Sequence, residues 1–167
     1  MTRYIQWFKD LGMNDVAVVG GKNASLGEMI ANLANAGISV PDGFATTADA
    51  FREHLSANDL ERRINDALTT LDTDDMEALT STGAAVRQWV IEQPLPEGLV
   101  NAVTDAWQVI NAAAGGDASV AVRSSATAED LPEASFAGQQ ETFLNVNTLD
   151  EVLVRIREVY ALSLIHI

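Results

Sequence analysis

The chain of 167 residues contains no cysteine. Disulfides, thiolate zinc sites and cysteine nucleophiles all need a thiol, so none of the three can form within these residues. The absence also fits a reducing compartment. Residues 1–10 have no apolar signal core, and no apolar run approaches the roughly 20 residues that a membrane-spanning helix needs. We therefore expect a cytoplasmic protein that does not enter a membrane.

Basic residues are scarce as well. The chain has 10 lysines and arginines against 24 aspartates and glutamates, which gives a net charge of −14. This charge repels nucleic acid and anionic membrane surfaces, so neither is an expected partner. An anionic small ligand would need a local group of cations. Only two lysines are present, Lys9 and Lys22, and Lys22 lies in a stretch, residues 16–27, with no other charged residue.

The remaining composition, 47% hydrophobic and 20% charged residues, is that of an ordinary folded domain. Apolar residues at helical spacing predict most of the chain to be amphipathic helix, and short β-branched runs predict a few strands. The predicted fold class is therefore α+β, helix-rich with a small sheet. Strands are expected at Ile38–Val40, Val120–Val122 and Thr142–Val146. Helices are expected at Leu26–Leu33, Leu60–Leu71, Met76–Val90 and Leu99–Ile110. Two more helices are expected to begin at capping residues: one is capped by Thr46 with Asp49 and runs through Leu55, and the other is capped by Thr148 with Glu151 and runs through Tyr160.

Two glycines and a lysine, Gly20-Gly21-Lys22, precede the first of these helices. Ser25 with Glu28 has the pattern of a capping box, so Lys22 is expected just before the helix N-terminus. Unpaired backbone amides and the helix dipole favour negative charge there, which predicts an anion site. The loop is not a Walker P-loop, because Val16 and Asn23 stand where that motif needs a glycine and a hydroxyl. The alternative interpretation is an exposed lysine without a ligand.

The stretch Val120–Val146 combines an apolar strand, an arginine and a glycine-containing loop. Arg123 follows a run that is typical of a buried strand, so it is expected to emerge from the core as a firmly held cation. Its planar guanidinium matches phosphate or carboxylate oxygens. We interpret the stretch as half of a phosphate-binding site. Further donors are expected from Ser124, Ser125, Thr127, Gly138, Gln139 and Gln140.

These side chains also have structural interpretations. The alternative for Arg123 is an ion pair with Glu129, Asp130 or Glu141, and the alternative for the hydroxyls is hydrogen bonding to loop backbone. The acids Glu129, Asp130 and Glu133 have no metal-site spacing. No metal ligand is therefore assigned.

Four blocks in the same order resemble the start of the phosphoenolpyruvate synthases (pyruvate, water dikinases), within their N-terminal ATP-binding domain. The blocks are LGMND at residues 11–15, VGGKNASLGEM at 19–29, VPDGFATT at 40–47 and the whole of 120–146. In the wider family, pyruvate, phosphate dikinase and rifampin phosphotransferase share the Gly-Gly-Lys start and the Val-Arg-Ser strand end. The likeness runs from about residue 7 to residue 161.

The resemblance implies the N-terminal part of an ATP-grasp-like nucleotide-binding domain, with ATP and Mg²⁺ as cofactors. Residue by residue, it implies that Lys22, Arg123 and the loop Gly138-Gln139-Gln140 with Thr142 contact the ATP phosphates. The implied reaction turns ATP, pyruvate and water into AMP, phosphoenolpyruvate and phosphate through a phosphohistidine on a separate domain. Neither His54 nor His166 matches that histidine, so no catalytic residue is assigned in this chain.

The same resemblance implies further domains: a second half of the ATP domain with the acids that hold Mg²⁺, a phosphohistidine domain and a barrel for pyruvate. Residues 1–161 are interpreted as the N-terminal portion of the ATP-binding domain and 162–167 as a truncated or non-native end. We expect the isolated chain to bind ATP weakly, if at all, and to expose apolar surface. The alternatives to a pyruvate, water dikinase are an inactive half-domain that binds a nucleotide or a partner protein, and a rifampin phosphotransferase-like enzyme.

Overall fold

The structure is a computed structural model that describes residues 3–35, 37, 42–72, 74–127 and 141–163. The chain within these ranges is helix-rich with short strands, in agreement with the predicted α+β class. The strands are β1 (Ile5–Trp7), β2 (Phe44–Thr46), β3 (Val120–Arg123) and β4 (Thr142–Val146). The helices are α1 (Val16–Val19), α2 (Gly21–Asn35), α3 (Ala48–Ala57), α4 (Leu60–Thr69), α5 (Met76–Glu92), α6 (Glu97–Ala113) and α7 (Leu149–Ser163), and two 3₁₀ turns, Phe8–Asp10 and Met13–Asp15, precede α1.

The strands form two antiparallel pairs instead of the one small sheet predicted. β1 pairs with β2, with Ile5 opposite Thr46, and β3 pairs with β4, with Arg123 opposite Thr142. Residues of β2 and of β3 both line a cavity, described below. The predicted strand Ile38–Val40 lies outside the described residues.

Strand β3 is half-buried, so the prediction of a fully buried strand was wrong. Val120 and Val122 pack against the core, whereas Ala121 and Arg123 are exposed. Side chains alternate between the two faces of a strand, and only one face of this pair packs against the core. Arg123 is therefore an exposed residue at the end of β3 and not part of the core cluster.

Helices α4 to α7 and strands β3 and β4 enclose the main core, much as their apolar stripes predict. Leu99 and Val103 of α6 are completely buried, and Val86 and Val90 of α5 join the same cluster. Met76 was expected on the buried stripe of α5 but is 70% exposed. The reason is that the buried stripe of α5 is confined to its second half, where its apolar residues meet α7.

A smaller core cluster places the N-terminal segments on β2. Its buried members are Leu11, Val19, Ala24 and Ala45. Gly27 of α2 lies directly against Leu11, close enough that an ideal Cβ would be 2.5 Å from the Leu11 carbonyl oxygen. This cluster fixes α1 and α2, and with them Lys22, relative to the rest of the fold.

The predicted helix caps are partly right. At α7, the Thr148 hydroxyl accepts a hydrogen bond from the Glu151 amide at 3.2 Å, as predicted. At α3, the cap is Thr47 and not Thr46: the Thr47 hydroxyl accepts from the Ala50 amide at 3.1 Å. Thr46 is unsuited to this role because it belongs to β2 and pairs with Ile5.

His54 is the fully buried imidazole of α3. Its Nε2 lies 3.3 Å from the Val90 carbonyl oxygen, and its Nδ1 has no hydrogen-bond partner among the described residues. Burial lowers the pKa of His54 below its ordinary value of 6.5; the Val90 hydrogen bond opposes this shift, and the positive charge of Arg157 adds to it. His54 is therefore a neutral core residue of the folded chain near pH 7.

This lowered pKa predicts a loss of stability on mild acidification. The unfolded chain takes up a proton on His54 at a higher pH than the folded chain does, so the free energy of unfolding falls as pH drops through 6.5 and levels off below the folded pKa. Replacing His54 with glutamine, which keeps a donor toward Val90, should remove this part of the pH dependence. Urea denaturation of both proteins from about pH 7.5 to about pH 5.5 checks this. Parallel pH curves for the two proteins would contradict it.

Candidate functional site

Lys22 lies in the first turn of α2 rather than before the helix. The helix begins at Gly21, because Gly20 alone separates it from α1. Gly20 has φ +83°, a left-handed conformation that glycine adopts at little cost, and its amide donates to the Val16 carbonyl at 2.9 Å to close α1. The prediction of a helix start at Ser25 was therefore wrong.

Ser25 and Glu28 make contacts other than the capping box predicted for them. The Ser25 hydroxyl donates to the Met13 sulfur at 3.6 Å, and the Glu28 carboxylate accepts from the Met13 amide at 3.4 Å. These side chains tie α2 to the preceding 3₁₀ turn. Their spacing mimics a capping box because both residues lie on one face of a helix that has already begun.

The segments that carry Lys22 and Arg123 meet in what we call the loop junction, residues 20–23 against residues 124–126. The Gly21 amide donates to the Ala126 carbonyl at 3.1 Å, and the Asn23 amide donates to the Ser125 hydroxyl at 3.3 Å. Ser125 and Asn23 are 102 residues apart in the chain. The fold thus brings the two predicted cationic segments side by side.

The loop junction also changes the expected source of positive charge. The N-terminal amides of α2 were predicted to be unpaired and open to an anion. Two of them, those of Gly21 and Asn23, instead donate within the junction, and the Ala24 amide donates to the Gly20 carbonyl at 3.1 Å. An anion at this place would therefore depend mainly on the side chains of Lys22 and Arg123.

Arg123 stands at the exposed end of β3, beside the loop junction. Within the described residues it forms no ion pair, and Glu141, one of the structural partners considered for it, is not paired with it. Glu141 instead accepts a hydrogen bond through its backbone carbonyl from the Ser124 amide at 3.3 Å. The other two acids considered, Glu129 and Asp130, lie outside the described residues.

The remaining predicted site residues are described only in part. Gly138, Gln139 and Gln140 lie outside the described residues. Thr142 is exposed and stands opposite Arg123 in the β3–β4 pair. The Ser125 hydroxyl hydrogen-bonds to backbone, which is the structural role considered for it.

A cavity of about 540 Å³ lies between the two strand pairs and helices α3, α6 and α7. Arg123, Asn23 and Ser125 line part of it, and the aromatic side chains of Phe51, Trp107 and Tyr160 line another part. Burial raises the pKa of Tyr160 far above its ordinary 10, with the neighbouring Thr46 opposing the shift, so its phenol stays neutral. The lining is therefore largely apolar, with one arginine, Arg123, and one carboxylate, Asp42, among its residues.

The sequence did not single out the aromatic residues of this cavity. Trp107 and Tyr160 lie on the apolar stripes of their helices, where a cavity wall and a filled core have the same pattern. No local signal distinguishes the two cases, because the difference depends on which elements face each other.

Residues 16–165 match the model of a protein family described as "Pyruvate phosphate dikinase, AMP/ATP-binding domain". The chain belongs to this family. The relatives of this dikinase family include the phosphoenolpyruvate synthases of Neisseria meningitidis, 56% identical over 159 residues, and of Escherichia coli, 55% identical over 157 residues. A probable phosphoenolpyruvate synthase of Methanocaldococcus jannaschii is 42% identical over 160 residues. The resemblance found in the four sequence blocks is thereby confirmed.

These alignments cover a small part of the dikinase relatives. They span 95%, 94% and 95% of this chain but 20%, 20% and 13% of the three relatives, in the order given. The chain thus spans about a fifth of the length of the first two synthases. The larger part of each relative has no counterpart in these 167 residues.

The described residues were predicted to hold no metal ligand and no membrane-spanning helix. In the described ranges, no group of three or more histidine, aspartate or glutamate side chains lies close enough together to hold a metal ion. Across the same residues, every helix is too short or too polar to cross a membrane.

Proposed function

We propose that this chain is the ATP-binding portion of a pyruvate, water dikinase, and that Lys22 and Arg123 contact the ATP phosphates. The loop junction carries this proposal, because it joins the two segments through the amides of Gly21 and Asn23. An ammonium and a guanidinium suit a polyphosphate together: the first is a compact charge and the second offers paired donors. In a protein of net charge −14, such a local pair is what an anion needs.

Four further residues complete the proposed phosphate site: Gly138, Gln139, Gln140 and Thr142. The position of Thr142 opposite Arg123 supports its inclusion. The backbone amides around Gly138 would stabilise charge that develops on the phosphates during transfer. The proposed domain is ATP-grasp-like, with residues 1–161 as its N-terminal portion and a second half elsewhere in the protein.

Magnesium would enter this site as part of MgATP. The described residues offer no cluster of acids for it, so we propose that its protein ligands belong to the second half of the domain. When bound, Mg²⁺ neutralises phosphate charge and orients the phosphoryl oxygens. Lys22 and Arg123 would bind and orient the same phosphates from this chain's side of the cleft.

The proposed reaction of the full-length protein converts ATP, pyruvate and water into AMP, phosphoenolpyruvate and phosphate. Its phosphohistidine and its pyruvate site would lie on other domains, and a cytoplasmic location is part of the proposal. The test is to express the complete reading frame that contains these residues and to supply MgATP with and without pyruvate. Pyruvate-dependent formation of AMP and phosphoenolpyruvate in equal amounts is expected. ADP as the nucleotide product, or phosphorylation of rifampin instead of pyruvate, would overturn the proposed reaction.

The second candidate function applies to the 167 residues alone: a half-domain that binds nucleotide or a partner domain without catalysis. The share of the relatives that the chain spans, 20%, favours it, as does the exposure of large apolar side chains such as Leu144 and Met13, at 67% and 50%. We expect the isolated chain to bind MgATP weakly, with a dissociation constant of about 1 mM or more, because one wall of the cleft supplies only part of the contacts. Calorimetry checks this, and micromolar binding would contradict it.

A further inference from the structure

We propose that Ser125 is a positioning residue for Lys22, and this inference rests on the proposed phosphate site. Its hydroxyl holds the first turn of α2 against the loop that follows Arg123. It thereby sets where the lysine stands relative to the arginine. The resemblance assigns phosphate contacts to Lys22 and Arg123 but gives no role of this kind to Ser125.

The hydrogen bonds of the loop junction bracket Lys22. The amide before it, that of Gly21, donates to the Ala126 carbonyl at 3.1 Å, and the amide after it, that of Asn23, donates to the Ser125 hydroxyl at 3.3 Å. The backbone on both sides of Lys22 is therefore attached to residues two and three places beyond Arg123. Removing the Ser125 oxygen removes the hydrogen bond on the C-terminal side of Lys22 and leaves the one on its N-terminal side.

The packing of Gly20 limits how far the two segments can separate or slide. An ideal Cβ at Gly20 would lie 2.8 Å from the Ser125 carbonyl carbon and 2.9 Å from the Ala126 nitrogen, so the backbones are in direct contact. Within the N-terminal segment, the Asn23 side chain donates to the Val19 carbonyl at 2.8 Å and so holds the start of α2 against the end of α1. The position of Lys22 thus depends on contacts made by its neighbours on both sides.

A positioning role predicts that the effect of Ser125 depends on Lys22. In the full-length protein, Ser125→Ala should raise the dissociation constant of MgATP about tenfold, because the lysine loses its place beside the arginine. Lys22→Gln should also weaken MgATP binding. In that background Ser125→Ala should add less than about a twofold change, because the charge it positions is gone. Calorimetric titration of the four proteins with MgATP measures this cycle.

Control variants separate positioning from folding. Ser125→Thr keeps the accepting hydroxyl and should bind MgATP within about twofold of the unsubstituted protein. Ser81→Ala removes an exposed hydroxyl on α5, outside the loop junction and the cavity lining, and should have no effect. Hydrogen exchange of the Asn23 amide tests the inference without any variant. The amide should be protected in the unsubstituted chain, because it donates to the Ser125 hydroxyl. Rapid exchange of this amide would overturn the inference, even if Ser125→Ala fails to fold.

The outcomes of the cycle are distinct. The same tenfold loss in both backgrounds would show that Ser125 acts independently of Lys22 and would overturn the inference. Unchanged binding in Ser125→Ala, with weakened binding in Lys22→Gln, would overturn it while leaving the proposed phosphate site intact. Unchanged binding in Lys22→Gln, or no MgATP binding by the unsubstituted protein, would instead refute the proposed function on which it rests.

Discussion

Arg123→Ala in the full-length protein is expected to lower the rate of ATP-dependent phosphorylation by at least about 100-fold. The guanidinium is exposed at the end of β3 and lines the cavity beside the loop junction, where the proposed function places the ATP phosphates. Because the side chain is exposed, its loss should change the free energy of unfolding by no more than about 0.5 kcal/mol. Steady-state rates of AMP formation and a urea denaturation curve measure the two effects.

Lys22→Ala is expected to cause a comparable loss of rate, since the two cations act on the same phosphates. Arg62→Ala is the matched control. Arg62 is an exposed arginine of α4 whose ion pairs with Asp59 and Asp66 are on the surface, and its removal should leave the rate unchanged. Full activity in either Arg123→Ala or Lys22→Ala would refute the assignment of that residue to the ATP site.

Gly27→Ala is expected to lower the free energy of unfolding by about 1–3 kcal/mol. Alanine within a helix usually stabilises it by about 1 kcal/mol relative to glycine. Here the added methyl would lie 2.5 Å from the Leu11 carbonyl oxygen and 2.8 Å from the Leu11 carbonyl carbon, so backbone would have to move. Leu11 belongs to the small core cluster that fixes α1 and α2, and a close-packed core has little free space. The backbone of Leu11 can therefore move away from the added methyl only by disturbing this packing, which lowers the free energy of unfolding.

Gly83→Ala is expected to change the free energy of unfolding in the opposite direction to Gly27→Ala. Gly83 lies in α5, and the nearest atom to its ideal Cβ beyond the local helix backbone is Nη1 of Arg87, at an ordinary 3.6 Å. This substitution should raise the free energy of unfolding by about 0.5–1 kcal/mol. Urea denaturation of both variants gives the comparison. A Gly27→Ala protein at least as stable as Gly83→Ala would show that α2 does not pack on Leu11 as described.

Local patterns predicted the parts of the fold that local physics determines. The stripes of α6 and α7 and the strands β3 and β4 lie where the apolar periodicity predicts them. The two helices bury residues at regular spacing, and that spacing is visible in any short window of the sequence. In β4 only the bounds were predictable, because its inward residues Phe143 and Val146 lie three apart across an irregularity in the pairing with β3. The Thr148 cap of α7 was predictable for the same reason, since its donor is three residues away.

The start of α2 could not be predicted in this way. A capping pattern at Ser25 and Glu28 favours a later start, but the left-handed φ of Gly20 lets one helix end and the next begin at once. The cap of α3 depends on the pairing of Thr46 with Ile5, which leaves Thr47 as the first residue outside the sheet. Both outcomes are decided by contacts outside the local window.

The candidate site shows the same division. Two site residues could be selected from the sequence. Lys22 is the one charged residue in the stretch 16–27, and Arg123 follows the predicted strand Val120–Val122. The bonding of Asn23 to Ser125 was not predictable, since it joins residues 102 positions apart. Such long-range contacts determine which helix amides remain available to a ligand, and here they shift the expected binding role from backbone to side chains.

The most direct test of a phosphate site shared by Lys22 and Arg123 is paramagnetic broadening in the ¹⁵N-labelled chain by chromium(III)-ATP, a complex whose metal does not exchange. Signals of the amides of residues 20–23 and 123–126 should broaden together, even with weak binding, while the Gly83 amide on α5 stays sharp. An excess of MgATP should reverse the broadening. Broadening of one segment without the other would contradict a single triphosphate site formed by both.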